Sequence, residues 1–368
     1  MKKKNPKVSV VISAYNHEQY VGEAIQSILD QTFQDFEIVI TDNGSTDNTF
    51  EEIKKIKDPR IRLYRFRDNQ GACAAYNNCK ERSKGKYILI FNSDDILLPN
   101  KIEVQTNFLD QNPEIGAVFT YVQLIDEDGN EYNKKHHYTD IFNQPNRTRY
   151  EWLNYLFFNG NCLCASTPMV RKKCFSVIGL NDLRLAQLPD LELWTRLLLN
   201  YDIHIIQEKL IKFRIRTENK NVSADTPESR VRSMYEFSQV LANFLTIKNV
   251  EEFGKIFPEE AKKHDDITND ELIPFYVARA ALSVEHVFHQ KFGLDTLFEM
   301  LKNKNIVKKL EKVCNFNYVS FIRLTGKHDI YNVNQILNQD EYIRMLEKKV
   351  GELEKPGGLI RSLINKHA

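Results

Sequence analysis

Four short strand-like runs, each parted from the next by a stretch of helical periodicity, constrain this chain more than any other feature. They lie at residues 8–12, 36–40, 61–64 and 87–91. The last, Tyr87-Ile88-Leu89-Ile90-Phe91, is apolar throughout and lacks the alternation of a sheet wetted on one face. Between the first two runs, Tyr20, Val21, Ala24, Ile25, Ile28 and Leu29 recur at helical spacing. That spacing predicts an amphipathic helix over 16–31, with Asn16 as its N-cap. Phe50, Ile53 and Ile56 predict a second helix, capped by Ser45 or Thr46, and residues 71–83 a third. Apolar strands alternating with helices require a mostly parallel sheet covered on both faces, an α/β fold.

Beyond residue 125 the pattern loosens. Asp126-Glu127-Asp128-Gly129-Asn130 predicts a turn between two strands. It lacks the further ligands and the terminal Glu of a calcium loop. Residues 190–200 predict a helix. From about residue 228 helical patterns dominate, most clearly over 275–301. The expected division is a sheet domain at 1–225 and a mainly helical domain at 226–368, in keeping with about 100–200 residues per domain. Near the end, Ile343, Leu346, Val350 and Leu353 fall at a and d positions of a short heptad pattern. Pro356-Gly357-Gly358 stops it, and a small basic amphipathic segment follows at 359–366.

Composition removes several classes. Lys plus Arg is 51 against 50 Asp plus Glu, a formal net charge of +1, which leaves no electrostatic footprint for nucleic acid. No stretch approaches the roughly 18 apolar residues of a membrane-spanning helix. The basic start at residues 1–4 is not followed by the apolar region of a signal peptide. Six cysteines form no CxxC pair; Cys162-Leu163-Cys164 is too tight for a zinc knuckle, with only His136 and His137 nearby. They are expected to be reduced and buried, in a cytoplasmic protein.

In a parallel sheet the strand C-terminal ends share one edge, and ligands bind there. Past the four strands come Ser13-Ala14-Tyr15-Asn16, Thr41-Asp42-Asn43-Gly44-Ser45, Asp68-Asn69-Gln70-Gly71 and Asn92-Ser93-Asp94-Asp95. One rim thus gathers carboxylates, amides, hydroxyls and an aromatic ring. Neither the dinucleotide fingerprint nor the P-loop is present. Asp94 and Asp95 have two readings. Either could cap the segment near Pro99. Alternatively, the pair forms a hard-cation site, since Mg or Mn is often held by one or two carboxylates plus substrate phosphates.

These stretches resemble the family 2 glycosyltransferases of the GT-A, Rossmann-like fold. The resemblance rests on residues 8–16, 42–47, 69–71 and 92–95, and on Leu188-Pro189-Asp190-Leu191-Glu192-Leu193-Trp194-Thr195-Arg196; it covers about residues 6–220. It implies a nucleotide-sugar donor, expected to be a UDP-sugar, bound near Ser13, Ala14, Tyr15 and Asn69. It gives Asp42 the nucleotide base, Asp94 the divalent metal (Mn or Mg), and Asn92 and Ser93 the ribose and diphosphate. Some relatives carry His near the position of Arg216, beside the diphosphate, so Arg216 is a candidate for offsetting phosphate charge; a surface ion pair is the alternative. Two departures stand out. The family commonly has Asp where Asn92 stands, and an acid where Pro189 stands.

By the same resemblance Asp190 is the candidate general base, a carboxylate that must reach an acceptor hydroxyl opposite the departing diphosphate. Its bland alternative is a helix N-cap. Glu192 is the next candidate base. Trp194, on a helix with Leu191, Leu197 and Leu198, is expected in the core. His286 and His289, three apart, are expected on a packed or solvated helix face.

The expected activity is transfer of a sugar to an acceptor hydroxyl with inversion, in bacterial surface glycan or glycoprotein assembly. The acceptor would be a glycan, a lipid-linked glycan or a glycoprotein, contacted by loops such as residues 130–165. The C-terminal helices would mediate peripheral contact with the inner membrane face or homo-oligomerisation. Asn92 and Pro189 also admit a catalytically silent sugar-nucleotide-binding module. A nucleotidyltransferase would want a Gly-rich loop with a basic residue after the first strand, and Ser13-Ala14-Tyr15-Asn16 supplies neither.

Overall fold

The computed structural model describes residues 5–134, 138, 141–216, 226–264 and 267–353. The basic start, His136 and His137, the stop at 356–358 and the tail at 359–366 lie outside the described residues.

One eight-stranded sheet organises the first part of the chain. Its strands are β1 (Val8–Ala14), β2 (Phe36–Asp42), β3 (Ile61–Arg65), β4 (Tyr87–Asn92), β5 (Ile96–Leu97), β6 (Ile115–Ile125), β7 (Met169–Arg171) and β8 (Asp202–Arg214). They lie in the order β3-β2-β1-β4-β7-β6-β8-β5. β1 to β4 are parallel, as their apolar runs require, and β1 and β2 are buried almost throughout. β3, at the edge, is half-exposed. The other half is mixed: β7 runs antiparallel to β4 and β6, β6 is parallel to β8, and β5 is antiparallel to β8.

Register places the site. Ala14 pairs with Asp42 and Ser13 with Asn92, so three chain segments end side by side. β8 is thirteen residues long, although only its last third, Leu210-Ile211-Lys212-Phe213, looks strand-like by sequence. Its exposed centre, Gln207, Glu208 and Lys209, breaks the apolar pattern, and the register with β6 shifts at Thr120–Val122 opposite it.

Two helix starts differ from expectation. The first helix is Val21–Leu29, not 16–31, and Asn16 is no cap: it sits at φ +51°, and its Oδ1 accepts from the Thr46 amide at 2.9 Å. The second helix, Thr49–Lys55, is capped by neither Ser45 nor Thr46; the Thr49 amide donates to Asp47. All these side chains bind across to the neighbouring strand end. His17 N donates to Thr49 Oγ1 (2.7 Å), Asn16 N to Ser45 Oγ (3.1 Å) and Glu18 N to Asp47 Oδ2 (3.1 Å). The polar residues that looked like caps are latches between two site loops.

The contact pattern divides the chain into two compact units, residues 1–273 and 274–368. The first therefore includes helices beyond residue 225, namely Pro227–Val240 and Val250–Ile256. Arg149, on the helix Arg149–Asn159, pairs with Glu252 at 2.7 Å. In the second unit Gly293 admits the close approach of Leu282 and Ala278 that any Cβ would block. The helix Val333–Leu353 carries the heptad residues and buries no side chain within its unit. No described helix is long and apolar enough to cross a membrane.

Candidate active site

The turn after β4 sits between two supports, one half-buried and one fully buried. Tyr76, on the helix Ala72–Arg82, shares its hydroxyl between Asn92 Oδ1 (2.7 Å) and the Phe91 carbonyl (3.1 Å). Asn92 Nδ2 donates to Asp95 (3.3 Å). Asp95 is buried and faces inward, accepting from Ser166 Oγ and from the Arg214 amide. It caps no helix. Burial first, then the Asp94 charge, raises its affinity for a proton. Asn92 is thus the turn's internal brace, and the amide found where the family has a carboxylate already has partners on both its atoms.

Asp94 is what the turn presents. Its Oδ2 lies 3.8 Å from His17 Nε2 and 3.9 Å from Arg216 Nη1. Arg216 Nη1 and His17 Nε2 are 2.7 Å apart. A guanidinium only donates, so Nε2 is the acceptor and the imidazole proton is on Nδ1. Nδ1 then donates to Ser93 Oγ (2.8 Å), and Ser93 donates to the Ser13 carbonyl (3.3 Å). Burial lowers the His17 pKa and agrees with the neutral ring. Three segments, the ends of β1, β4 and β8, are joined by this relay, and His17 is its hub. The sequence offered one clue to it: His17 directly follows Tyr15-Asn16.

Arg214 and Arg216 have different jobs. Arg214 is 2% exposed; it donates to the carbonyls of Asp94 (2.8 Å), Asp126 (3.1 Å) and Glu127 (2.7 Å) and pairs with Glu23 (2.6 Å). It holds the backbone of the Asp94 turn. The 126–130 segment is the expected turn, closed by Asp126 N to the Asn130 carbonyl (2.9 Å). A cleft of about 620 Å³ is lined by His17, Arg214, Arg216, Glu23, Asp47 and Glu127 among others. None of Asp42, Asp94 and Asp190 lines it; Asp94 meets it through His17 and Arg216, which do.

Asp42 ends β2 and is fully buried rather than open on the rim. Its Oδ2 takes Arg65 Nε (3.1 Å) and the Ser45 amide (3.3 Å), while Oδ1 has no hydrogen-bond partner among the described residues. Asn69 Oδ1 accepts from Asn43 Nδ2 (3.0 Å) and the Gly71 amide (2.8 Å), pinning the loops after β2 and β3 together. Gly44, at φ +71°, permits this: a Cβ there would lie 2.5 Å from the Asp68 backbone. Tyr15 is exposed beside them.

Asp190 lies elsewhere in the sequence and in the architecture. It stands in the first turn of the helix Pro189–Leu198, whose N-cap is Leu188, so Asp190 is not the cap. Its Oδ1 accepts from the Leu191 amide (2.8 Å) and its Oδ2 from Asn161 Nδ2 (2.7 Å). Burial pushes its carboxyl up to about 6. Glu192 is bound to Arg196, which leaves it no free carboxylate to act as a base. Trp194 is buried, its ring edge-on to Phe119. Asn161 escaped sequence reading because no local pattern marks a residue that acts on a partner 29 positions away. All six cysteines are free, five of them buried.

A cation fits Asp94 only as a shared ligand. Among the described residues no group of three or more His, Cys, Asp or Glu gathers as a metal site. One outward carboxylate suits Mg or Mn, which takes most of its remaining ligands from phosphate and water.

A mixed sheet with four parallel strands, polar side chains along their C-terminal edge and a separate half-buried carboxylate is the arrangement of a GT-A glycosyltransferase. The glycosyl transferase family 2 matches residues 9–179. An uncharacterised glycosyltransferase of Methanocaldococcus jannaschii is 31% identical over 68% of this chain and 85% of its own. Another, from Haemophilus influenzae, is 27% identical over 84% of this chain and 98% of its own. The chain belongs to glycosyl transferase family 2. Two solved structures share the fold. S. aureus TarS in complex with UDP-GlcNAc has TM-score 0.55 and 17% identity, covering 79% of this chain and 89% of that one. The mannosyltransferase PcManGT from Pyrobaculum calidifontis, in complex with GDP-Man and Mn2+, has TM-score 0.52 and 15% identity, covering 90% and 89%.

Proposed function

We propose that this glycosyltransferase moves a sugar from a UDP-sugar to an acceptor hydroxyl with inversion, assisted by a divalent cation. The observation that carries this is the placement of two carboxylates with opposite surroundings. Asp94 sits beside the Arg216 guanidinium and the His17 imidazole at a strand end, and Asp190 is held half-buried with its carboxyl near 6. The first arrangement suits a diphosphate, whose charge a cation at Asp94 would neutralise as it leaves. The second suits proton removal near neutral pH.

Each residue has a task in this reading. The partnerless Oδ1 of Asp42 accepts an N–H of the nucleotide base, and Tyr15 stacks on it. Ser13, Ala14 and Asn69 shape the nucleoside cradle, with Asn92 and Ser93 setting the turn that carries Asp94. Arg216, positioned by His17, faces the phosphates. Asp190 takes the proton from the acceptor hydroxyl, which then displaces the diphosphate in line. Solved neighbours that hold UDP-GlcNAc, or GDP-Man with Mn2+, support a nucleotide-sugar donor and a metal. The transfer chemistry is assigned to residues 1–225, and the setting to bacterial surface-glycan or glycoprotein assembly on the cytoplasmic side of the membrane.

The test is a panel of nucleotide sugars assayed for nucleoside diphosphate release, with Mn or Mg and with chelator. Release from a UDP-sugar that needs metal supports the proposal. No release from any donor, with binding retained, would favour a silent sugar-nucleotide-binding module.

A further inference from the structure

The loop that delivers Asp190 has no secondary structure to hold it, so its backbone donors must find partners elsewhere. Three consecutive amides find the same one. Ala186 N donates to Glu236 Oε1 at 2.8 Å, and Gln187 N and Leu188 N donate to Oε2 at 2.8 Å each. Glu236 is 2% exposed and comes from the helix Pro227–Val240, about fifty residues later in the chain. Leu188 is the N-cap of the Asp190 helix, and its side chain makes no capping bond. The Glu236 carboxylate therefore serves as an external cap for that helix, two residues from Asp190.

We propose that Glu236 is a positioning residue for sugar transfer: by gathering the amides of residues 186–188 it fixes the helix start that aims Asp190 at the acceptor. This rests on Asp190 as the base. Only an ionised carboxylate fits the place. Two oxygens accept three converging N–H groups in charge-assisted bonds, whereas a Gln would offer one oxygen and turn an NH2 toward a donor. The earlier part of the loop is tied to the helix Ala72–Arg82: Asn77 Nδ2 donates to the Asn181 carbonyl (2.8 Å), and Cys73 Sγ to the Leu185 carbonyl (3.4 Å). Those ties leave residues 186–188 to Glu236. The negative charge of Glu236 also lies close enough to add, after burial, to the raised Asp190 pKa. Cys73, whose thiol feels both carboxylates, is kept protonated by burial.

The experiment compares Glu236→Gln in the intact chain and in an Asp190→Asn background. The expected result is a kcat about 10–100-fold lower for Glu236→Gln, with the donor KM close to the parent and the melting temperature lowered by only about a few degrees, the cost of leaving one or two buried amides unpaired. In the Asp190→Asn background the same change should cost less than twofold, because a residue acting through the base has nothing left to position. An undiminished kcat, or an equal loss in both backgrounds, overturns the proposal. Near-normal transfer by Asp190→Asn alone would instead refute the base assignment, a separate failure. Should Glu236→Gln not fold, hydrogen exchange on the unmodified protein decides. The amides of residues 186–188 should be protected like those of the following helix, and exchange at free-loop rates would overturn the proposal.

Discussion

The two halves of the proposed site, one for the donor and one for the base, are built by different means. The donor half lies along the ends of β1, β2 and β4, where strand pairing alone sets Ala14 beside Asp42 and Ser13 beside Asn92. The base half has no such frame. Asp190 is placed by Asn161, by the ties from Asn77 and Cys73, and by Glu236, all side chains reaching across long stretches of sequence. A sheet positions groups through its ladder, which single substitutions barely disturb. A loop held by side-chain to backbone bonds is as exact as its partners, and each partner is a separate point of failure. The two halves should therefore fail separately when altered.

The largest effect is expected in the donor half. Asp94→Asn, or excess chelator, should abolish transfer and donor hydrolysis together, because both need the diphosphate charge neutralised. Full activity in chelator would remove the metal and leave Arg216, braced by His17, as the phosphate's counter-charge.

In the base half, Asp190→Asn should cost on the order of 10²–10⁴ in transfer while donor affinity and folding stay near normal. Its pH dependence is the sharper test. With the carboxyl near 6, transfer by the parent should decline as pH falls through 6, and the residual activity of Asp190→Asn should not show that limb. Stability runs the other way. The folded chain holds this proton more tightly than the unfolded chain, whose Asp has the ordinary 3.8, so acidification through 6 relieves a cost. Loss of activity near pH 6 without a fall in melting temperature separates titration of the base from unfolding. If Asp190→Asn also lost nucleotide binding, the two halves would not be independent.

How far the sequence could be read follows the same divide. The four parallel strands, the helix Ala72–Arg82 and the polar strand ends were legible, because a buried parallel strand must be apolar and must end where its ligands lie. Asn16, Ser45 and Thr46 read as caps in the sequence but are latches in the fold, because a polar residue before a helix looks the same whether it binds its own helix or a neighbouring loop. Asn161 and Glu236 leave no mark on local pattern, and His17 is marked only by its place after Tyr15-Asn16. Their partners lie 76, 29 and up to 50 positions away, and only the folded chain brings them together.

A smaller loss is expected from His17→Ala. Without the imidazole, Ser93 and Arg216 lose their common partner, yet Arg216 keeps its approach to Asp94. Donor KM should rise on the order of tenfold, about 1.4 kcal/mol, with the pH limb near 6 unchanged. A shift of that limb would mean that His17, and not Asp190, sets it.

The smallest effect is expected at Asp42, because its carboxylate has two functions that a single substitution separates. Oδ2 is structural: it holds the Ser45 amide and faces Arg65, which is 43% exposed on its side chain and can turn to water. Oδ1 is the atom left for a ligand. Asp42→Asn keeps one acceptor oxygen, and the Ser45 amide at the strand end claims it, leaving an NH2 facing the base. Stability should fall by about 1 kcal/mol, the usual worth of one such bond and of a part-exposed ion pair. Affinity for the nucleoside diphosphate should drop several-fold by calorimetry, since a donor has replaced the acceptor that the base N–H requires. The kcat at saturating donor should not change, because Asp42 and the reacting sugar sit at opposite ends of the nucleotide sugar. A lowered kcat with unchanged affinity would place Asp42 in the catalytic step and end the separation of the donor half from the base half.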